Sequence, residues 1–388
     1  MPGSATLYTQ KIGLVKQETT EGRTLREPLP MPPSICIHAG AHALSVLRDG
    51  GLKPEAIRVV AGAAGGPKWL ILSHVDRFLF GGWITGRRTP LHLVGSSSGA
   101  WRFAAAAQTD PLAAIHRLER AYIAQRYAPH PAPAAVSREA GRILAHYLNP
   151  RTAAQALDHP CLRLNFLAVR SRGSRRCRGP AWMGLRMAAA TVLNAVKRPW
   201  LGLLFERVLF HDPRGLPPFF PMTGFPLRTV ALDSRNLVPA LRASGAIPLV
   251  MAGVGAISGA PPGCYWDGGL IDYHLDLPYQ RLGDGLVLFP HYTDRLVPGW
   301  LDKRFARRRP AAAHTRNVIL VSPSRAFLER LPLGKIPDRT DFVRFRGRDR
   351  ERMAYWRQAV DAGAALAEDL ADLLAGGRLR LKTSRLPA

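Results

Sequence analysis

Six short strand candidates, several of them continuous apolar runs, set the terms for any fold of this sequence. They are "IRVVAGAA" (57–64), "PLHLV" (90–94), "LRLNFLAV" (162–169), "RTVAL" (228–232), "GLVLFP" (285–290) and "RNVILVS" (316–322). Several of them lack polar alternation, which suits strands covered on both faces of a sheet. Helical patterns separate them. In "DPLAAIHRLERAYIAQRY", Leu112, Ile115, Tyr122 and Ile123 share one face. Near the end of the chain Met353, Trp356, Val360, Leu366, Leu370 and Leu373 form the stripe of a long helix that stops at Gly. Gly363 falls on this stripe, where it weakens the helix and marks a close contact. Strands alternating with helices predict an α/β sandwich with a central, mostly parallel sheet. A chain of 388 residues, 47% hydrophobic and 21% charged, can bury a core of that size.

One strand-to-helix junction carries chemistry. "LHLVGSSSGAW" (91–101) puts three serines between two glycines, and only Ser97 is central in a G-x-S-x-G frame, flanked by Gly95 and Gly99. "PLHLV" before it reads as strand and "AWRFAAAA" after it as helix. A sharp turn between the two holds a serine hydroxyl at its apex. The glycines let two backbones pass closely. A plain Gly/Ser turn is the bland reading of the five residues alone.

A second glycine loop, "AGAAGGPKWL", follows the first strand and opens into the helical run "ILSHVDRFLF". It is no phosphate loop, because Pro67 and Trp69 stand where that pattern needs Gly and Ser or Thr. No G-x-G occurs there either, which excludes a dinucleotide fingerprint. Bare backbone N–H groups at a helix start can stabilise an oxyanion. Pro67 has no N–H, so the donors come from Gly65, Gly66 or Lys68.

A serine nucleophile needs a base. His291, in "LVLFPHYTD" at a strand end, is the histidine that an α/β-hydrolase-type triad would use. "YWDGGLIDYHLDLPY" offers instead Asp267, presented at a tight turn by Gly268 and Gly269. A carboxylate within hydrogen-bond reach can also act as the base.

With these residues in view, the sequence resembles the patatin-like phospholipases over about residues 57–280. A glycine-rich loop, G-x-S-x-G and a downstream D-G-[GA] occur in that family's order. "GSSSG" and "DGG" match fully, and "SGAIPLV" (244–250) is similar to the small-residue segment ahead of the family's Asp. "AGGPKW" (64–69) matches at Gly65, Gly66 and Lys68 but has Ala64 and Trp69 where glycine is usual. The resemblance implies a three-layer α/β/α sandwich and a lipid acyl hydrolase with a Ser-Asp dyad. Ser97 would be the nucleophile, Asp267 the base, and the loop 64–69 the oxyanion hole, with no cofactor or metal. The tail and the last hundred residues lie outside the resemblance, and the expected organisation is a flexible polar N-terminal tail (1–33), a catalytic domain (34–300) and a strand-and-helix extension (301–388) packed on the same domain. Two rivals stay open: an esterase using Ser97 with His291, and a poorly active acyl-lipid binder in which Ala64 and Trp69 blunt catalysis.

The net charge of +26 comes from 54 basic against 28 acidic residues. Such an excess attracts a polyanion, either nucleic acid or an anionic membrane. No nucleic-acid module is recognisable, so nucleic acid is not expected. "RSRGSRRCR" (170–178) instead leads into apolar segments broken by "KRP", a pattern suited to a lipid–water interface through residues 170–210. "HAGAH" sets His38 and His42 at i and i+4 without a carboxylate partner, and no metal is expected there. Cys36, Cys161, Cys177 and Cys264 are scattered, predicting neither a disulfide framework nor a zinc site. The N-terminal stretch lacks the apolar centre of a secretory signal. The run 243–266 is broken by prolines and glycines and reads as buried loops and strand, not a span. A cytoplasmic protein, peripheral to the membrane, is the expectation.

Overall fold

The computed structural model describes residues 32–50, 52–174, 176–376 and 383–386, so most of the 1–33 tail lies outside the described residues. The strands in chain order are β1 (Ile35–Ala39), β2 (Ile57–Gly62), β3 (Leu91–Ser96), β4 (Leu162–Ser171) and β5 (Phe205–His211). They continue with β6 (Leu227–Ala231), β7 (Tyr265–Asp267), β8 (Leu286–Pro290), β9 (Val318–Pro323) and β10 (Thr383–Arg385). One sheet contains them all, in the order β10-β1-β9-β8-β2-β3-β4-β5-β6, with β7 also on β4. The central block β9-β8-β2-β3-β4 is parallel throughout. β4 pairs antiparallel with β5 and β7, and β1 antiparallel with β9. Helices cover both faces, which makes a three-layer α/β/α fold. All six strand candidates became strands: β2, β3, β4, β6, β8 and β9.

Three local readings need correction. "FERVLF", read as the end of the apolar interfacial segment after "KRP", instead belongs to strand β5, buried along nearly its whole length. Leu112 is 46% exposed, because it lies at the open first turn of helix Pro111–Ala124 and covers Gly81 rather than the core. The long C-terminal helix is two, Asp349–Ala362 and Ala364–Ala375, breaking at Gly363. A Cβ on Gly363 would sit 2.6 Å from the Ile71 carbonyl oxygen, so the close contact is backbone to backbone.

A fourth correction concerns the cysteines. Cys177 and Cys264 form a disulfide, with Cα atoms 4.8 Å apart. They are 87 residues apart in sequence and carry no spacing signal. The pairing of β7 with β4 brings them together, since Cys264 directly precedes β7 and Cys177 follows the end of β4. Cys36 and Cys161 are free thiols.

Candidate active site

β3 ends at Ser96 and a helix begins at Ser98, so Ser97 is the single residue between them. Its φ of 54° and ψ of −124° lie where a non-glycine residue is strained. Close packing on both sides enforces the turn. A Cβ on Gly99 would fall 1.9 Å from the Gly62 carbonyl oxygen, and one on Gly95 would fall 2.5 Å from the Ala100 nitrogen. The backbone N–H of Ser97 donates to Ser244 Oγ at 3.0 Å, and Ser244 in turn donates to the Leu167 carbonyl at 2.7 Å.

β4 brings the acid to the serine. Its residues Leu162–Leu167 pair with β3, ending at Ser96 opposite Leu167. Where β3 stops, β7 takes over, with Asp267 opposite Ala168. Two residues 170 apart in sequence are thereby made neighbours, and Ser97 Oγ donates to Asp267 Oδ2 at 2.7 Å. The other oxygen, Oδ1, accepts the Gly269 N–H at 2.7 Å. Asp267 N–H donates to the Ala246 carbonyl, so the segment from Ser244 to Ala246 holds both partners. Burial raises the Asp267 pKa, opposed by the Ser97 hydrogen bond, Arg339, the Gly269 amide and Lys303. A Cβ on Gly268 would lie 2.1 Å from the Leu167 carbonyl oxygen, which explains the glycine after the acid.

The glycine loop 64–69 lies against this pair. Gly66 has a φ of +58°, and a Cβ on Gly65 would meet the Tyr292 ring at 2.6 Å, so both positions require glycine. Gly66 starts a 3-10 helix with Gly65 as its cap, which leaves both amides outside the helical ladder. Among the described residues neither donates to another group. The methyl of Ala64 packs toward Gly269, 2.8 Å from where a Cβ would stand, and Trp69 turns into the core against Tyr122. Lys68 is half-buried with Nζ 4.9 Å from the Tyr292 ring centre.

Sequence reasoning missed the groups that hold this loop. The Val297 N–H donates to His274 Nδ1 at 2.9 Å, which leaves the proton on Nε2. Nε2 lies 2.8 Å from the Tyr292 hydroxyl, which donates to the Ala64 carbonyl. The Ala64 N–H donates to the Tyr273 carbonyl at 3.0 Å, so Ala64 is gripped at both ends. Burial lowers the His274 pKa well below the usual range and keeps the ring neutral. Tyr292→Phe should cost about 1–3 kcal/mol in urea unfolding by leaving the buried Ala64 carbonyl without its donor. An unchanged unfolding midpoint would show that the carbonyl finds another partner.

His291 stands apart from the Ser97–Asp267 pair. It is fully buried at the end of β8, with Nδ1 2.8 Å from the Thr293 carbonyl oxygen and no partner for Nε2. Burial pushes its pKa down to about 3. It makes no hydrogen bond to Ser97, whose hydroxyl is engaged by Asp267. His38 bonds Ser384 and His42 faces the Asp284 carbonyl. Among the described residues no group of three or more His, Cys, Asp or Glu could hold a metal ion.

Ser97 opens onto a cavity of about 560 Å³. Its walls are largely apolar, with Trp101, Tyr122, Val136, Ile143, Met251 and Phe342 among them. Such a cavity matches the pockets that enclose the apolar part of a small ligand.

No known family model matches the chain, and no curated protein matches it. Among solved structures it is similar to human GIVD cytosolic phospholipase A2, at 11% sequence identity and a TM-score of 0.38, covering 92% of this chain and 67% of that one.

Proposed function

We propose that the protein is a lipid acyl ester hydrolase in which Ser97 is the nucleophile and Asp267 the general base. The observation that carries this reading is the 2.7 Å hydrogen bond from Ser97 Oγ to Asp267 at the wall of an apolar cavity. Ser97 Oγ attacks the ester carbonyl carbon while its proton passes to Asp267. The carbonyl oxygen becomes an oxyanion held by the amides of the Gly65–Gly66–Lys68 loop. Collapse breaks the ester bond, and the leaving alkoxide takes the proton back from Asp267. Water then attacks the acyl-Ser97 carbonyl, giving its proton to Asp267. The acid product departs as Ser97 is reprotonated. Burial suits Asp267 to this work, since a raised pKa makes its carboxylate a stronger base. An active-site fluorophosphonate should label Ser97 covalently, and a panel of acyl esters should identify hydrolysed lipids. A folded protein that takes neither the label nor any ester is an acyl-lipid binder instead.

The same reading places the protein at a membrane surface. No helix among the described residues is long and apolar enough to cross a bilayer. Helix Pro180–Val196 and the turn after it expose Leu185 (73%), Val192 (65%), Val196 (65%) and Leu203 (64%). From His159 to Phe205 the sequence contains no Asp or Glu, so every charged side chain of this stretch is a cation, although Arg170 and Arg198 pair with Glu206 and Asp302. The basic segment is not uniformly superficial: Arg207 is buried in a bidentate pair with Asp272, both contacts at 2.7 Å. Arg175 lies outside the described residues. Changing exposed Arg172 and Arg176 to Ala should weaken co-sedimentation with anionic vesicles at low salt by roughly thirtyfold, each cation contributing on the order of 1 kcal/mol. Binding unaffected by both the double change and salt would return the segment to an ordinary surface.

A further inference from the structure

Arg339 lines the Ser97 site, and Lys68 and Lys303 lie behind it over the Tyr292 and Tyr273 rings, none of the three in an ion pair among the described residues. Arg339 lines the cavity that contains Ser97 and also the small recess beside it that contains Asp267. Its Nε is 3.1 Å from where a Cβ on Gly66 would stand, so it lies directly over the glycine loop. Lys303 places Nζ 4.0 Å from the centre of the Tyr273 ring, and Tyr273 itself packs beside Gly269. Lys68 belongs to the loop. Among the described residues none of these three side chains forms an ion pair or donates a hydrogen bond to another residue. The nearby acids are already used. Asp338 and Asp341 share Lys335 at 3.3 and 2.6 Å, and Asp267 accepts from Ser97 and Gly269.

Like charges held this close to one another repel unless an anion sits among them. Burial first, and then Lys68 and Arg339, lower the Lys303 pKa to about 7, with Asp267 and Asp338 opposing. The Lys68 pKa is lowered as well, by burial first, with Asp338 opposing and Arg339 and Lys335 adding to the fall. Two of the three cations come from the C-terminal part of the chain, far from the serine and acid motifs.

We propose that Lys68, Lys303 and Arg339 form a headgroup subsite for a phosphate-type oxyanion carried by the amphiphile whose acyl chain fills the apolar cavity. This rests on the reading of Ser97 as the group facing the ester. The subsite selects a headgroup of net negative charge over a zwitterionic one of the same chain length, because a trailing ammonium would be set among uncompensated cations.

Calorimetric titration of the full chain tests this without requiring turnover. Dodecyl phosphate, kept below its micelle concentration, should bind at least tenfold more tightly than dodecylphosphocholine. Lys303→Met with Arg339→Met should reduce that ratio at least tenfold, and Lys303→Met alone should reduce it in part. Inorganic phosphate should bind far more weakly than dodecyl phosphate. Equal affinity for the two amphiphiles in the unaltered protein overturns the subsite. Inorganic phosphate binding as tightly as dodecyl phosphate overturns the headgroup assignment in favour of a free-phosphate site. Loss of the preference on changing Arg172 and Arg176, with the Lys303 and Arg339 variants unaffected, moves the anion to the basic surface and also overturns it. A protein that hydrolyses no ester but keeps the preference retains the subsite and loses the hydrolase reading.

Discussion

Ser97→Ala should abolish ester hydrolysis, lowering kcat by on the order of ten-thousandfold or more, as loss of a nucleophile does in serine hydrolases. Ser96→Ala and Ser98→Ala should retain most of the activity. The three hydroxyls differ by geometry, not chemistry. Ser97 alone occupies the strained turn and donates to Asp267. The hydroxyls of Ser96 and Ser98 are buried without partners, so removing either leaves no donor or acceptor stranded. Turnover of a long-chain acyl ester, with circular dichroism to verify folding, separates the cases. Equal losses at all three positions would show that the packing of the turn had been disturbed and that no nucleophile had been removed.

Asp267→Asn should be nearly as damaging as loss of the serine, while His291→Ala should cost stability and little turnover. The amide keeps the shape of the carboxylate and can still accept one hydrogen bond, but it cannot take the proton of Ser97. On the acid side, activity should fall as Asp267 protonates, and burial sets this limb above the usual carboxylate range. No limb near pH 6 to 7 should depend on His291, which burial keeps neutral down to about pH 3. Lys303, near 7, is the group that titrates in that window, and its effect should vanish in Lys303→Met. A folded His291→Ala protein devoid of activity, beside an active Asp267→Asn protein, would return the base to the histidine.

The parts of this site that were legible in sequence are those written locally. Apolar runs, the glycines at 95 and 99, and the DGG turn each announce themselves within ten residues, because close backbone approach and buried strands restrict residue choice on the spot. The rest depends on partners. β7 is three residues long, too short for any periodicity, and it is a strand only because β3 ends early and leaves an edge of β4 open. Ser244 looks like any small residue at a helix end until its hydroxyl is seen bridging Ser97 and Leu167. Tyr292 stands next to His291, and His274 lies in the stretch that presents Asp267, so the sequence drew attention to their neighbours instead. Arg339 and Lys303 are two among 54 basic residues, and only their places over Gly66 and beside Tyr273 set them apart. The Cys177–Cys264 bridge was invisible for the same reason, since a pairing across 87 residues leaves no local trace.

The handover from β3 to β7 along β4 also bears on when the protein becomes chemically competent during its own synthesis. Closing long-range pairings is the slow part of folding for parallel sheets. Ser97 emerges from the ribosome early, and its elbow can form once β2 and β3 are paired. Asp267 follows 170 residues later and has no seat until β4 has docked on β3 and left the rest of its edge free. A nascent or half-folded chain therefore carries a serine with nothing to take its proton. On the proposed mechanism, reactivity toward acyl groups comes only with the assembled sheet, timed by the order in which its strands close.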